Sequence, residues 1–256
     1  MIDLPRVTIG IITYRRFEEL QRTVASLREN IIYPPEKLEW LIADDCSPDG
    51  YLERLAACEV FSGLNVRFIS TQSNSGWGAS ANNLLDYVET PFVYLSEDDW
   101  LLCYKLDLRA GVGILETSTD VGVLRYGGTS GDMLYTYHQH EANVSEYLKE
   151  NIYAADYVEG KCTYLVIDIE SPSLYVYSGR PQLGKLSWYY NLGLFPIGLR
   201  LGQTEDAFAH RVKDYVRSTP NAQQIAILPD FVNMKYRHIG ATWQHTEVDV
   251  VREVGQ

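Results

Sequence analysis

The amino-acid sequence predicts an α/β fold, with a mostly parallel, doubly wound sheet in its first part and antiparallel strands after it. Three observations support this prediction. Apolar runs rich in β-branched residues alternate with stretches of helical periodicity as far as residue 100. These runs are apolar throughout, as expected for parallel strands that helices cover on both faces. From Gly127 to Gly184 the sequence is rich in Gly, Ser and Tyr and carries short alternating runs, which are typical of antiparallel strands and long loops.

The first hundred residues contain four predicted strands and the helices that connect them. The clearest helix places Phe17, Leu20, Val24 and Leu27 at three- and four-residue spacing, so that they share one face. The predicted strands are 7–13, 38–43, 66–70 and 91–95, and the further helices are 52–58 and 79–88.

The second half contains one helix with strong sequence signals. Thr204 is a suitable N-cap, and Glu205 and Asp206 would fill the first turn, where acidic side chains complement the helix dipole. The apolar stripe of this helix comprises Phe208, Val212, Tyr215 and Val216. The elements predicted before it are a helix over 108–116, a strand over 121–125 and alternating runs at 164–167 and 174–177.

Composition and charge exclude several classes of protein. The chain has 256 residues, with 22 basic and 34 acidic side chains and a net charge of −12, so a dedicated nucleic-acid binder is not expected. No apolar run approaches the ~20 residues of a membrane span, and the first residues lack the apolar segment of a signal peptide. The four cysteines are scattered, which is typical of reduced thiols. The sequence thus predicts a cytoplasmic protein with a single domain over 1–256.

Polar residues follow three of the predicted strands, at points that parallel topology brings to one edge of the sheet. They are Thr13-Tyr14-Arg15, Asp44-Asp45 and Glu97-Asp98-Asp99. Adjacent carboxylates repel one another unless a cation or hydrogen-bond donors compensate them, and their oxygens suit a hard divalent ion such as Mg²⁺ or Mn²⁺. The alternative is a solvated loop in which Asp98 or Asp99 caps the next helix.

A glycine-rich segment, 74–79, lies between the third predicted strand and the helix after it. Gly76 and Gly78 would let the backbone approach a ligand closely, and the helix N-terminus would favour a phosphate. The segment is neither a Walker loop nor a G-x-G-x-x-G motif. Taken alone, it is better explained as a structural turn.

In combination, these motifs resemble those of the family 2 glycosyltransferases, which have the GT-A fold. They occur in the family's order and at its usual intervals. The matching segments are 7–15, 42–49, Asn74-x-Gly76-x-Gly78-x-x-x-Asn82, 94–99 and Thr204-Glu205-Asp206. The resemblance implies a GT-A-like domain with a nucleotide-sugar-binding half (1–100) and an acceptor-binding half (101–256).

The resemblance also implies a reaction and a donor site. The reaction is an inverting, metal-dependent transfer of a sugar from a nucleotide-diphosphate donor (UDP, GDP or dTDP) to a hydroxyl of a saccharide or glycoconjugate. Asp44 would bind the base, and Asp45 would support the turn. The other residues implied at the nucleotide, ribose and phosphates are Thr13, Tyr14, Arg15, Asn74, Gly76, Glu97 and Asp98.

Asp99 is the implied ligand of the divalent metal, Mn²⁺ or Mg²⁺, that holds the diphosphate. The family often adds a late histidine as a further ligand, for which His238 is the first candidate and His245 the rival. His138 and His140 also have metal-like spacing, but a polar loop explains them better.

Asp206 is the implied general base, which takes the proton of the acceptor hydroxyl. Glu205, beside it, is expected to contact the acceptor. The aromatic run 187–191 borders the acceptor in the family, so Trp188 could stack on a sugar.

Two departures from the family pattern affect these expectations. Ala81 stands where many members have an arginine, so one cationic contact to the diphosphate is missing or supplied elsewhere. Ser96 and Glu97 stand where aspartate is common, which leaves open which acid besides Asp99 touches the metal. The glycine-rich form resembles the rhamnosyltransferase-like subgroup and favours a deoxysugar donor. Two other functions stay open, namely a nucleotidyltransferase that makes the activated sugar and a non-catalytic nucleotide- or sugar-binding protein.

Overall fold

A computed structural model describes residues 3–126, 137–144, 146–147, 157–158, 161–170, 176–228 and 236–240. The strands are β1 (Val7–Thr13), β2 (Ile31–Ile32), β3 (Leu38–Asp44), β4 (Val66–Ser70), β5 (Phe92–Glu97), β6 (Trp100–Leu102), β7 (Leu106–Asp107), β8 (Val121–Tyr126), β9 (Tyr137–Asn143), β10 (Tyr157–Val158), β11 (Lys161–Ile167), β12 (Gln182–Lys185), β13 (Gln224–Leu228) and β14 (Tyr236–His238). The helices are α1 (Phe17–Asn30), α2 (Tyr51–Ala56), α3 (Trp77–Asp86), α4 (Leu108–Thr117), α5 (Leu186–Leu192) and α6 (Leu201–Ser218).

A mixed sheet of 10 strands forms the centre of the fold. Its order is β10-β11-β13-β8-β12-β5-β1-β3-β4, and β9 pairs with β11. The strands β5, β1, β3 and β4 pair in parallel, as do β8 and β13. By contrast, β12 is antiparallel to β5 and β8, and β11 is antiparallel to β9, β10 and β13. All described strands of this sheet except β12 and β11 therefore point the same way, which confirms the predicted fold class.

Helices cover both faces of the sheet because its strands are apolar on both sides. In β3, Trp40 and Ile42 belong to a core cluster that includes side chains of α1, α2 and α4. Leu41 and Ala43 belong to a second cluster, with side chains of α3, α5 and α6. This alternation is the two-residue period of a strand, and it explains why the strand sequences are apolar throughout.

The predicted elements of the first half are present, with ends that shift by one or two residues. The helix predicted to begin at Thr204 begins one turn earlier, at Leu201, with Arg200 as its N-cap. Thr204 is buried and donates its backbone N–H to Arg200 O at 2.8 Å, so it lies inside α6 and does not cap it.

The two alternating runs have different outcomes. The run 164–167 lies in β11, as predicted. Residues 174–175 of the second run lie outside the described residues, and its other half is not a strand. Val176 and Tyr177 form a buried bend before β12, because their side chains pack into the core beside α6.

Gly122 in β8 gives a direct test of this packing. A Cβ on Gly122 would overlap the indole ring of Trp188, which is 0% exposed. We expect Gly122→Ala to lower the free energy of unfolding by about 1–3 kcal/mol, because the ring would have to leave a filled core. Urea denaturation followed by circular dichroism measures the change.

Gly202→Ala is the matched control. Gly202 lies in α6, and apart from its chain neighbours and the nearby backbone of its own helix no described atom comes within 4 Å of the position of its Cβ. Alanine there should leave the free energy of unfolding unchanged or raise it by up to about 1 kcal/mol, because alanine favours the helix. Equal stability of the two variants would contradict the packing of Gly122 against Trp188.

Candidate active site

The sheet brings three of the sequence motifs to one edge. Because β3, β1 and β5 are parallel neighbours, the backbone register places Thr13 beside Asp44 and Ile12 beside Glu97. The polar residues after each strand therefore meet at the carboxyl ends, where open parallel sheets bind their ligands.

Asp44 organises the turn after β3 with its own carboxylate. It accepts hydrogen bonds from Ser47 N (2.8 Å), Ser47 Oγ (2.5 Å) and Ser70 Oγ (3.2 Å). Cys46 follows with φ 62°, a left-handed conformation that is uncommon for any residue but glycine. Asp44 is buried, and Oδ1 has one protein donor while Oδ2 has two. Oδ1 therefore retains the capacity to accept a further hydrogen bond.

Asp45 holds the glycine-rich segment in place. Its Oδ1 accepts hydrogen bonds from Ser75 N (2.9 Å) and Thr71 Oγ1 (3.1 Å), and its Oδ2 accepts one from Gly76 N (2.8 Å). Gly76 has φ +81°, which a side chain would strain. Asn74 lies exposed in this segment. The segment is therefore tied to the end of β3 and stands beside the strand ends.

The residues after β1 form the wall next to these turns. Thr13 is buried, and its Oγ1 lies 2.8 Å from the Tyr51 hydroxyl. Tyr14 donates its N–H to Asp98 Oδ2 at 3.3 Å. Arg15 has φ 60°, donates its N–H to Ser47 Oγ at 2.8 Å and lays its guanidinium over the Tyr14 ring at 4.7 Å. Tyr14 and Arg15 are the members of this motif that a ligand could reach.

Asp98 and Asp99 lie buried after β5, and a basic residue contacts both. Arg16 Nη1 is 3.3 Å from Asp98 Oδ1 and also forms an ion pair with Asp99 Oδ2. The same Asp99 oxygen lies 3.1 Å from His238 Nε2, and Asp99 O accepts a hydrogen bond from Ile239 N at 2.8 Å. Pairing of β14 with β6 sets His238 opposite Trp100, one residue after Asp99.

Burial and neighbouring charges shift the pKa values of Glu97, Asp98 and Asp99 in different directions. Burial is the largest cause that raises the pKa of Glu97 well above its usual range, and the neighbouring carboxylates add to it. Burial likewise raises the pKa of Asp98 to about 7, against the opposing charge of Arg16. Burial also acts to raise the pKa of Asp99, but the hydrogen bond from His238 and the charge of Arg16 outweigh it, so that this pKa is lowered. Asp99 is therefore the member held most firmly as a carboxylate.

Asp99 and His238 have the character of metal ligands. Asp99 Oδ1 is buried and has no hydrogen-bond partner among the described residues, which is unfavourable for a carboxylate unless a cation or donor is added. A Cβ on Gly240 would overlap Asp99 Oδ2, so the backbone closes tightly around this group. In the described part of the chain, no group of three or more acidic, histidine or cysteine side chains could hold a metal ion alone. Asp99 and His238 could therefore hold a hard divalent ion such as Mg²⁺ or Mn²⁺ only together with further oxygen ligands from outside the described residues.

The acceptor-side carboxylates, Glu205 and Asp206, differ in their surroundings. Glu205 accepts a hydrogen bond from Gly179 N at 2.5 Å, and a Cβ on Gly179 would lie 3.3 Å from both Glu205 Oε1 and Glu97 Oε1. Burial raises the pKa of Glu205. Asp206 has a 51% exposed side chain, 3.5 Å from His210 Nδ1. Glu205 thus faces the carboxylate cluster, whereas Asp206 is open to an incoming molecule.

The structure changes the expectation for the aromatic run. Trp188 is fully buried, donates Nε1–H to Gln223 O at 3.0 Å and packs edge-on against Phe208. It presents no face on which a sugar could stack, so its predicted role in acceptor binding is wrong for this structure. Tyr190, two residues later, is the exposed aromatic residue of the run, at 46%.

Three further expectations concern the carboxylates and histidines. Neither Asp98 nor Asp99 caps a helix, because strand β6 follows them. The next helix, α4, is capped by Asp107, which accepts a hydrogen bond from Arg109 N at 3.0 Å. His245 lies outside the described residues. The polar loop expected for His138 and His140 is wrong, because both residues lie in β9, which pairs with β11. His138 is 4.0 Å from Asp168 and His140 is 3.8 Å from Asp120, so neither is paired with a carboxylate of the candidate site.

Sequence reasoning missed Arg16, Gly179 and Gly240. A second arginine directly after the strand-end motif is a signal that could have drawn attention to Arg16. Gly179 and Gly240 carry no such signal, because they reach the site from distant parts of the chain.

The fold is that of solved structures with low sequence identity. TarS 1-349 from S. aureus, in complex with UDP-GlcNAc, is 20% identical at a TM-score of 0.61, over 94% of this chain and 60% of that one. The mannosyltransferase PcManGT from Pyrobaculum calidifontis, in complex with GDP-Man and Mn²⁺, is 15% identical at a TM-score of 0.57, over 97% of this chain and 64% of that one. TarS itself is 17% identical at a TM-score of 0.59, and the chain spans only 39% of its length. The class is therefore a GT-A-type α/β fold.

The model of glycosyl transferase family 2 matches residues 8–171. The chain belongs to glycosyl transferase family 2, as its motifs predict. No curated protein matches the sequence. The rhamnosyltransferase-like subgroup stays a prediction, as do the two functional halves and the cytoplasmic location. No helix in the described part of the chain is both long and apolar enough to span a membrane.

Proposed function

We propose that the chain transfers a sugar from a nucleotide-diphosphate donor to an acceptor hydroxyl, in a metal-dependent reaction that inverts the anomeric carbon. The observation that carries this proposal is the buried Asp99, whose Oδ1 lacks a partner among the described residues while Oδ2 faces His238. Membership of glycosyl transferase family 2 supports sugar transfer as the reaction.

The donor would lie across the carboxyl ends of β1, β3 and β5. Asp44 would accept a hydrogen bond from the base, and Tyr14 and Arg15 would border the nucleotide. Gly76 would lie beside the phosphates, although its own N–H is donated to Asp45. The N–H groups at the start of α3 would face the phosphates, because N–H groups at a helix N-terminus favour anions. Asp98 would lie on the ribose side. The described contacts support this arrangement, because Asp45 ties Gly76 to the end of β3.

Asp99 and His238 would hold the divalent ion, together with oxygens of the diphosphate. When bound, Mn²⁺ or Mg²⁺ neutralises the charge that grows on the departing diphosphate. Burial and the neighbouring carboxylates raise the pKa of Glu97, so this group holds a proton more readily than an exposed glutamate does. A cation held at Asp99 would relieve the repulsion that remains within the carboxylate cluster.

Asp206 would act as the base on the acceptor side. Its exposed carboxylate can reach a hydroxyl that approaches from solvent, whereas Glu205 is engaged by Gly179 N and would shape the acceptor pocket. The oxygen–carbon bond forms as the bond between the anomeric carbon and the diphosphate breaks, and the hydroxyl proton passes to Asp206. A single displacement from the face opposite the nucleotide inverts the anomeric carbon. A product that keeps the donor's anomeric configuration by NMR would contradict this step.

The donor would be a UDP-, GDP- or dTDP-sugar. The solved structures contain UDP-GlcNAc in one protein and GDP-Man with Mn²⁺ in another, which supports the first two classes. A deoxysugar on dTDP remains the expectation from the glycine-rich motif. The acceptor would be a saccharide or glycoconjugate.

Calorimetric titration of the wild-type protein tests the proposal. UDP, GDP and dTDP are each titrated with Mn²⁺ and with EDTA. We expect one nucleotide to bind at least about tenfold more tightly with Mn²⁺, because Asp99 would hold the ion and the ion would neutralise charge on the diphosphate. No binding of any of the three would favour the non-catalytic alternative. Binding that is equal with EDTA would contradict metal dependence and leave nucleotide binding intact.

A further inference from the structure

The backbone at the end of β1 places Arg16 beside the carboxylates of Asp98 and Asp99. It is the N-cap residue of α1 and follows Arg15, whose left-handed φ of 60° turns the chain at the end of β1. Its Nη1 contacts Asp98 Oδ1 at 3.3 Å and Asp99 Oδ2. In the described part of the chain, no other lysine or arginine forms an ion pair with either aspartate.

Arg16 and a divalent ion compete for the same group. Asp99 Oδ2 already forms an ion pair with Arg16 and lies 3.1 Å from His238 Nε2. A guanidinium has no lone pair to offer a metal, and a divalent ion on Asp99 would place two further positive charges within a few Å of it. The Arg16 side chain is 29% exposed, whereas that of Asp99 is 3% exposed. The side chain that can move aside is therefore Arg16.

We propose that Arg16 is the resident counter-ion of the metal site, and that it exchanges Asp99 for the donor diphosphate when the divalent ion binds. The inference rests on the proposed function, from which it takes the ion and the diphosphate. In the absence of metal, Arg16 compensates the buried Asp98–Asp99 pair, whose repulsion would otherwise oppose folding. When the metal is present, the released guanidinium meets phosphate oxygens, which its planar fork of N–H donors matches.

Arg16→Gln tests this exchange by two binding measurements that should move in opposite directions. With Mn²⁺ alone, calorimetry should show affinity about tenfold tighter than wild type, because the competing cation is gone. With saturating Mn²⁺, the affinity for UDP, GDP or dTDP, whichever the wild type binds, should fall about tenfold, because a phosphate contact is lost. Damage to the site would weaken both affinities together.

Arg22→Gln is the matched control, since Arg22 is an exposed arginine on the same helix, and both affinities should stay at the wild-type values. Arg16→Met is a second neutral variant that keeps the apolar stem in case the glutamine variant does not fold. Unchanged or weaker Mn²⁺ binding in the neutral Arg16 variants would overturn the exchange, and so would unchanged nucleotide binding. A wild-type protein that binds no Mn²⁺ even with nucleotide would instead contradict the proposed function itself.

Discussion

Replacing Asp206 with asparagine is expected to lower the kcat of sugar transfer by about 10²- to 10⁴-fold, the usual contribution of a positioned general base. Asparagine keeps the shape of the side chain but cannot accept the acceptor proton. Because the Asp206 side chain is half-exposed and lies beside His210 of the same helix, and the proposed nucleotide site does not include it, the affinity for the nucleotide should not change. Steady-state kinetics with the identified donor, and calorimetry with its nucleotide, measure the two quantities.

Two variants make this prediction specific. Asp214→Asn removes an 80% exposed aspartate from the same helix and should leave kcat at the wild-type value. Glu205→Gln should act chiefly on the KM of the acceptor, because Glu205 is held by Gly179 N and would shape the acceptor pocket. If Glu205→Gln showed the larger loss of kcat while Asp206→Asn retained it, the base would be Glu205.

The second large effect is expected at Asp99. Asp99→Asn removes the carboxylate that would bind the divalent ion, while the size of the side chain is kept. Stabilisation of a departing diphosphate by a metal is worth several kcal/mol, and each 1.36 kcal/mol is tenfold in rate, so transfer should slow by about 10³-fold or more. The Mn²⁺-dependent part of nucleotide binding should be lost in calorimetry.

The Asp99 variant must still fold for this result to count. The backbone carbonyl of Asp99 accepts a hydrogen bond from Ile239 N, and this bond does not depend on the side-chain carboxylate. Circular dichroism should therefore show an unchanged spectrum, and Asp214→Asn again provides the control. If nucleotide binding by Asp99→Asn still depended on Mn²⁺, a group other than Asp99 would have to be the metal ligand.

Much of the parallel half of the fold could be predicted from sequence. Its strands are apolar throughout because helices bury both faces, and this pattern is local and survives in the printed sequence. Glycine-rich and acidic motifs then fall at the strand ends by topology alone. The start of α6 was misplaced because Thr204, a good capping residue by type, is buried inside the helix.

The candidate site could be predicted in part. The strand-end residues Asp44, Asp45, Asp98 and Asp99 lie together, since parallel neighbours share one edge. Trp188 was misjudged because an aromatic run looks the same whether it faces solvent or the core, and only the approach of Gly122 shows that it is core. Arg16 was missed because its pairing with Asp98 and Asp99 spans more than eighty residues of sequence.

The sequence by itself determined the α/β class, the family and the set of carboxylates at the strand ends. These follow from local periodicity and from residue types at fixed intervals. Only the tertiary structure decided which carboxylate is buried without a full set of partners, which basic residue compensates it, and that Glu205 faces inward while Asp206 faces out. The physical reason is that desolvation and ion pairing depend on groups brought together from β1, β5, β14 and α6, and no local pattern records those distances.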